Sequence, residues 1–416
     1  MSEPEFDFDV IVIGGGPAGL TAAIAAAEAG RRVLVFERLQ RPGRKLLATG
    51  GGRCNLTRDE TPKQLAAEFG RRRHFIMPAL WGLSPEMLRY WLAEIGIETE
   101  ADEQGRVYPA SHKAVNVLTA LMDRCKAVGM VFRCGASVGE IRVDEGRAVG
   151  VVDVRGREFS AKAVVLAAGG MCMPKLGSDG SGFMLAEAAG HSLSEPVPAL
   201  VSLETREKFV ADLAGVVTNC RVRLGLKGPA GAPREGELLF THRGVSGPVI
   251  LDLSGEVSQM LDELDEVGMR IELVAGMTAE AWREQFAAWR EAASAKSVRK
   301  LLGEHLVLRL ADVVCGLAEI DSTRPLAEVG AKAIRRLCEI LGSMELTIVD
   351  TAGFDAAMVT RGGVRLGEVN EETLESRIVN GLFFAGEVLD IAGPCGGYNL
   401  TWAFASGKLA GESAAG

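Results

Sequence analysis

Three glycines and one acid carry the most chemistry in this chain: Gly14, Gly16 and Gly19 in the turn GGGPAG, and Glu37 further on. Gly14 permits a tight turn, Gly16 lets the backbone approach a pyrophosphate, and Gly19 lets a helix press against a strand. Free amides at the start of that helix, and its dipole, then face the phosphates. Glu37 is placed to accept hydrogen bonds from ribose hydroxyls, and at this spacing an acid suits an unphosphorylated ribose better than a 2′-phosphate. The chemistry is dinucleotide binding, and the motif by itself leaves FAD and NAD open.

The elements that must position these residues follow in order. An apolar run Val10–Ile13, a small-residue helix and a second apolar run Val33–Phe36 ending at Glu37 predict a βαβ unit of Rossmann type. The connection GRKLLATGGGRCNLT (43–57) is too polar and glycine-rich for a core, and loops of this length in α/β domains are usually functional. Pro62–Ile97 predicts helices with Trp81 and Trp91 packed between them, Ala101–Pro109 a hairpin, and Lys113–Val128 an amphipathic helix feeding a strand at Val131–Cys134. Ser137–Val143 and Ala148–Val154 alternate as a meander closed by Glu158–Lys162, and Ala163–Ala168 reads as a doubly covered parallel strand. Glu195–Leu273 predicts a separate β-rich domain. Thr278–Cys315 is helical, with Trp282 and Trp289 in a helix–helix core, and is followed by a helix at Ala327–Leu341 and a strand at Glu345–Asp350. After Gly353 the chain returns to the first domain through Gly381–Glu387 and the glycine-rich Gly393–Tyr398, which opens the last helix.

A dinucleotide domain that begins at residue 10 and resumes near residue 355 is the pattern of two-domain flavoenzymes with a large insert, because extended FAD needs contacts from distant parts of the chain. Glu387, at the end of LFFAGE, then serves the ribityl-phosphate region, and the amides of Gly396–Asn399 the electron-rich pyrimidine edge of reduced flavin. Candidate acids and thiols are Cys54, Cys172, Cys395, Tyr398 and His242, of which Tyr398, Cys54 and His242 are the catalytic candidates. Cys54 and Cys395 lack the adjacent spacing of disulfide reductases, so small buried thiols are preferred to a redox pair. Tyr398 is a candidate proton donor to a reduced double bond, with packing on the ring edge as the equal alternative. His242 in THRGVSGP lines a substrate pocket or, more plainly, hydrogen-bonds its loop. No second G-x-G-x-x-G opens a helix in mid-chain, and the GSDGSG run at 177–182 is assigned to a flavin-side loop.

Composition narrows the field. At 416 residues the chain has room for two or three domains, and its net charge of -9 argues against a generic nucleic-acid binder, DNA included. The basic residues Arg41, Arg44, Lys45 and Arg53, and the run Arg71–Arg73 with His74, cluster early; the run reads as a solvated face or a phosphate-neutralising edge. Eight cysteines without a C-x-x-C pair and only five histidines fit a reducing compartment and no metal site. The start MSEPEFDF shows no secretory leader, and no run of apolar residues long enough to span a bilayer occurs, so a cytoplasmic protein is expected.

The motifs GGGPAG, GRKLLATGGGRCNLT, GRVYPASHKA, LAAGG with GSDGSGF, ELLFTHRGVSGPVILDLS and GLFFAGEVLDIAGPCGGYNLTWAFASGKLAG together resemble the BaiN-like (YhiN-type) family of FAD-binding oxidoreductases, also called the aminoacetone oxidase family. The match covers about 9–57, 100–121, 164–204, 236–254 and 358–412. The resemblance implies an α/β fold in three parts: an FAD-binding Rossmann-type domain (1–194 plus 354–416), a β-barrel-like domain (195–275 plus 342–353) and a small helical insert (276–341). It implies FAD contacts at Gly14, Gly16, Gly19, Glu37, Arg44, Lys45, Gly52, Arg53, Cys54, Asn55, Val138, Ala168, Gly169, Gly386, Glu387, Asp390, Gly397, Tyr398, Asn399 and Leu400; Pro17, Ala18 and Arg38 complete the candidate set. Cys395 stands where the family often has Thr before GGYN, and Thr49 replaces a Ser while keeping the hydroxyl. NADH or NADPH is the implied transient reductant, bound near the flavin without its own Rossmann domain. Implied substrates divide among small molecules, as conjugated enones or amino-ketones oxidised with oxygen, and uridine in ribosomal RNA, for which the Arg71–Arg73 stretch would serve. A non-catalytic flavin redox sensor is the alternative from another class.

Overall fold

The computed structural model describes residues 6–225, 232–292 and 294–416; the acidic lead at 1–5, the 226–231 stretch of the region read as β, and residue 293 of the region read as helical lie outside them. The chain divides into two compact units, 1–198 with 358–416, and 199–357.

The first unit is built on a seven-stranded sheet in the order Val131–Cys134, Val33–Glu37, Phe8–Ile13, Glu158–Leu166, Arg147–Asp153, Val138–Asp144, with Leu382–Phe384 also on Glu158–Leu166. The strand Glu158–Leu166 unites two segments that the sequence pattern keeps apart. Its first residues pair antiparallel with Gly150–Val152, while Ala163–Leu166 run parallel to Val10–Ile13 on one side, and Val164–Leu166 parallel to Leu382–Phe384 on the other. One strand thus changes partner midway, and its burial changes with it: positions alternate from Glu158 to Lys162 and are continuously buried from Ala163 to Leu166. Val10, Ile11 and Val12 are fully buried, as expected of a parallel strand covered on both faces.

The final helix, Tyr398–Ala415, lies against Pro17–Glu28. Gly407 and Gly411 allow this: a Cβ on them would sit 2.3 Å from the Ala18 carbonyl oxygen and 2.2 Å from that of Ala22. Backbones can meet so closely only where side chains are missing. Of the tryptophans expected between helices, Trp91 is half-buried, whereas Trp81 is 58% exposed. In Arg73–Gly82 the buried positions are Ile76, Ala79 and Leu80, and position 81 turns to the other side.

The second unit holds a closed barrel, Leu203–Thr205, Gly244–Ser246, Arg234–Phe240, Val217–Leu224, Val267–Glu272, Met344–Thr351, with antiparallel neighbours throughout. The region expected to be β-rich also contains a helix, Pro248–Leu261, which the sequence pattern did not predict. Its buried Val249, Ile250, Leu253 and Val257 follow a helical period, and Pro248 sits in the first turn where its missing N–H costs nothing. Trp282, Phe286 and Trp289 of Ala279–Ala292 are buried together as a packed core, as the seven-residue spacing of the tryptophans predicts.

Candidate functional site

In the first unit the glycine turn is as crowded as its spacing demands. Gly14 has φ +111°, and a Cβ there would lie 2.3 Å from the Ala167 carbonyl oxygen; one on Gly19 would lie 1.9 Å from that of Gly14. Around Gly16 a Cβ would meet nothing within 4 Å. Gly16 is the N-cap of Pro17–Glu28 and no side chain caps that helix, so the amides of Ala18 and Gly19 open onto that empty space. Glu37 is buried. Its Oε2 accepts from the Gly15 N–H at 3.0 Å and its Oε1 from the Leu39 N–H at 2.8 Å. Burial raises its pKa and these amide bonds oppose the rise. Each oxygen keeps a lone pair, so the carboxylate can brace the turn and still accept from a ribose.

Around Glu37 the neighbouring expected contacts gather. Arg38 pairs with Asp179, and Ala136 and Gly135 donate their N–H groups to the carbonyls of Glu37 and Leu39, which brings Val138 alongside. The run 177–182 lies beside Arg38 and Leu39 and also against the loop that follows Glu158–Leu166, where the Gly180 N–H donates to the Gly170 carbonyl. Ala168 and Gly169 follow the strand Glu158–Leu166 directly against Gly14.

The second end of the chain joins the same place. A Cβ on Gly386 would be 2.8 Å from Ala18 Cβ, and the Gly386 N–H is held by Ser406 Oγ at 2.9 Å. Glu387 Oε2 takes Lys45 Nζ at 2.7 Å while its Oε1 accepts from the Thr360 N–H at 2.8 Å. Asp390 Oδ1 takes Arg72 Nη2 at 2.7 Å and the Gly362 N–H at 3.2 Å. Arg72 thus points inward, while Arg71, Arg73 and His74 are exposed. Asn399 closes the loop before the last helix: its Oδ1 accepts from the Gly393 N–H, and its Nδ2 donates to the carbonyls of Gly393 and Pro394.

Gly52 and Cys54 adopt positive φ, Arg44 and Arg53 are exposed, and Leu400 is half-buried. Asn55 Oδ1 is a buried acceptor without a hydrogen-bond partner, 2.8 Å from where a Cβ on Gly397 would stand. An uncapped helix start facing open space, an acid braced for ribose and an orphaned acceptor beside a second uncapped helix start form a donor and acceptor set that fits FAD.

The catalytic candidates fare differently from one another. The Cys54 thiol is fully buried, and burial pushes its pKa up to about 11, partly opposed by Thr49, so it stays protonated at neutral pH. Cys395 is exposed, against the expectation of a buried thiol. Cys172 is buried with its Sγ 3.3 Å from Thr360 Oγ1. Tyr398 is buried, its O–H donates to Glu60 Oε1 at 3.2 Å, and burial above all pushes the phenol up to about 12. Arg58 Nε meets the same Glu60 oxygen at 2.9 Å, and its guanidinium lies 5.4 Å from the Tyr398 ring centre. His242 lies on an exposed turn of the second unit, between Arg234–Phe240 and Gly244–Ser246. Sequence reasoning missed Arg58, Glu60 and Thr360. The first two stand directly after GGRCNLT, and that adjacency was the available signal.

Residues 8–413 match the family described as "HI0933-like protein Rossmann domain". Over 407 residues, 97% of this chain and 98% of its relative, the protein is 36% identical to the 3-dehydro-bile acid delta(4,6)-reductase of Clostridium scindens. It is 30% identical over 404 residues, 96% of both chains, to the ribosomal RNA dihydrouridine synthase of Escherichia coli. Among solved structures, the 3-ketosteroid-delta4-(5alpha)-dehydrogenase of Rhodococcus jostii shares the fold, with a TM-score of 0.52 at 20% identity over 100% of this chain and 98% of that one.

Proposed function

The chain belongs to the HI0933-like, BaiN-like family of FAD-binding oxidoreductases, and from that premise we propose that it reduces an unsaturated small molecule with a hydride drawn from NADH or NADPH. The observation that carries this reading is the 36% identity, along nearly the whole of both chains, to a 3-dehydro-bile acid delta(4,6)-reductase. Bound FAD supplies the two-electron chemistry, taking up a hydride and giving one up.

The residues of this chain supply binding, orientation and a proton. In this reading the uncapped start of Pro17–Glu28, with Gly14, Gly16, Pro17, Ala18 and Gly19, holds the phosphates, and Glu37 holds the ribose. Asn55 Oδ1 and the amides that open Tyr398–Ala415 face the ring. Tyr398 is the proton donor: with a pKa of about 12 it keeps its proton at working pH, and Glu60, fixed by Arg58, holds the O–H until it turns to the substrate. Cys54 packs against the loop as a neutral thiol. The proposal includes a cytoplasmic location and a division into 1–194 with 354–416 for FAD, 195–275 with 342–353 for substrate, and 276–341 as a helical insert. Among the described residues no helix is long and apolar enough to cross a membrane.

Stopped-flow mixing with NADH and NADPH under anaerobic conditions tests the reading. Bleaching of the flavin band by at least one is expected, and no bleaching by either would sink it. A second reading, reduction of uridine in ribosomal RNA, is favoured by the 30% identity to the E. coli enzyme and by the exposed Arg71, Arg73 and His74. It requires salt-sensitive RNA binding and a loss of dihydrouridine from ribosomal RNA when the gene is removed.

A further inference from the structure

Arg58 and Arg106 stand directly opposite one another on adjacent antiparallel strands, Thr57–Arg58 and Arg106–Pro109. Directly opposed residues share a sheet face with their Cβ atoms about 5 Å apart, and like charges so placed repel. Each arginine has one carboxylate, and each spends only its Nε on it: Arg58 on Glu60 at 2.9 Å, Arg106 on Asp102 at 2.7 Å. Their Nη groups carry no hydrogen bond among the described residues. The Arg58 prongs end beside two glycines, Nη1 3.7 Å from a Cβ position on Gly396 and Nη2 3.8 Å from one on Gly105, and the guanidinium lies 5.4 Å from the Tyr398 ring centre.

A third guanidinium, Arg53, lies 5.0 Å over the Tyr108 ring and, among the described residues, hydrogen-bonds only the Gly50 carbonyl. Arg58 and Arg106 each meet one carboxylate, Glu60 and Asp102, while Arg53 meets none among the described residues. One of those carboxylates, Glu60, also receives the Tyr398 O–H. The cluster adjoins Gly396–Tyr398, the loop that carries the proposed proton donor.

We propose that Arg58 and Arg106 form a fork for an anionic group of the substrate, a carboxylate or a phosphate, so that the protein acts on a charged molecule and not on its neutral counterpart. The inference rests on the reductase reading and adds a substrate class to it. Planar guanidinium forks match both oxyanions, and a bound oxyanion would also relieve the repulsion between the opposed strands. The terminal Nη donors, without a hydrogen bond among the described residues, are the groups such a ligand would take.

The test is isothermal titration calorimetry on the oxidised holoenzyme with two matched pairs: a 3-oxo-Δ4 steroid carboxylic acid against its methyl ester, and uridine 5′-monophosphate against uridine. In at least one pair the charged member should bind roughly tenfold or more tightly, as charge-assisted hydrogen bonds predict. Preference within the first pair assigns a carboxylate and within the second a phosphate. Arg58→Gln and Arg106→Gln should each bring the preferred ratio towards one with flavin content unchanged, and Arg106→Lys should keep part of it. Equal binding within both pairs, or a ratio untouched by Arg106→Gln, overturns the proposal. Arg106 has the more exposed side chain of the two, so it decides alone if the Arg58 variant fails to fold. No reductant is present, so the fork is tested even in a protein that NADH and NADPH fail to bleach.

Discussion

At the Gly14–Glu37 turn, the Glu37 carboxylate braces the Gly15 amide, 22 positions away; at the opposite end, Lys45 reaches Glu387 across 342 positions and Arg72 reaches Asp390 across 318. The first site is built by steric exclusion, with glycines where a methyl group would strike backbone. The second is built by ion pairs and captured amides that draw the two chain ends together. A local device fails abruptly when one atom is added, whereas a distributed one loses its parts singly.

Gly19→Ala should break the local device most severely. The added methyl would stand 1.9 Å from the Gly14 carbonyl oxygen, and overpacking against backbone costs about 3 kcal/mol or more. The expected result is a colourless or insoluble protein, and a yellow variant with unchanged melting temperature would refute the packing argument. Gly16→Ala sharpens the contrast, because its methyl enters open space at an ordinary backbone conformation. Apoprotein stability should stay within about 0.5 kcal/mol while flavin affinity falls, since the methyl occupies the room proposed for phosphate.

Next in size is Tyr398→Phe. Removing a general acid costs on the order of 100-fold in kcat, and flavin content should not change. Because the phenol titrates only near pH 12, the wild-type rate should show no alkaline limb from this group below pH 10. Undiminished turnover in the variant would reduce Tyr398 to a packing residue.

The difference between the two regions also explains what was legible in the sequence. Gly14, Gly16, Gly19 and Glu37 were readable because turn, strand and helix are consecutive and each residue answers a local geometric need. The pairing of Glu387 with Lys45 follows no period or spacing; it appears only when Leu382–Phe384 docks beside Glu158–Leu166 and carries Glu387 to the loop at 43–57. Arg58 facing Arg106 is a matter of strand register, which short strands leave unmarked. The helix Pro248–Leu261 was hidden by β-branched residues that suit strands, although its apolar positions recur at helical intervals. Trp81 shows the converse limit: a large apolar residue in a helix need not face the core.

Cys54 tests the loop between the two regions. Its thiol pKa is raised from 9.0 to about 11, so the folded state holds the proton more tightly than the unfolded chain. The stabilisation is complete below pH 9 and is lost as pH climbs through 11, amounting to roughly 2 kcal/mol by that point. Urea unfolding of Cys54→Ser, which cannot ionise there, should show a shallower alkaline decline between pH 9 and 11 than wild type. Parallel curves would mean that the thiol is solvated.

The smallest effect is expected at the Lys45–Glu387 pair, and its smallness is informative. Both side chains are 21% exposed, so water screens much of their attraction, and a cycle of Lys45→Met, Glu387→Gln and the double variant should give a coupling of about 1 kcal/mol or less in apoprotein unfolding. Glu387 also holds the Thr360 N–H through its other oxygen, and a Gln at 387 can keep that bond through its carbonyl, so the substitution tests the charge and not the capture of the segment at 360. In the distributed design each pair contributes little to stability, and the cost of losing one should appear instead in flavin retention. A coupling of several kcal/mol would show that the distant ends meet at a buried, tightly desolvated contact, and the contrast with the glycine turn would disappear.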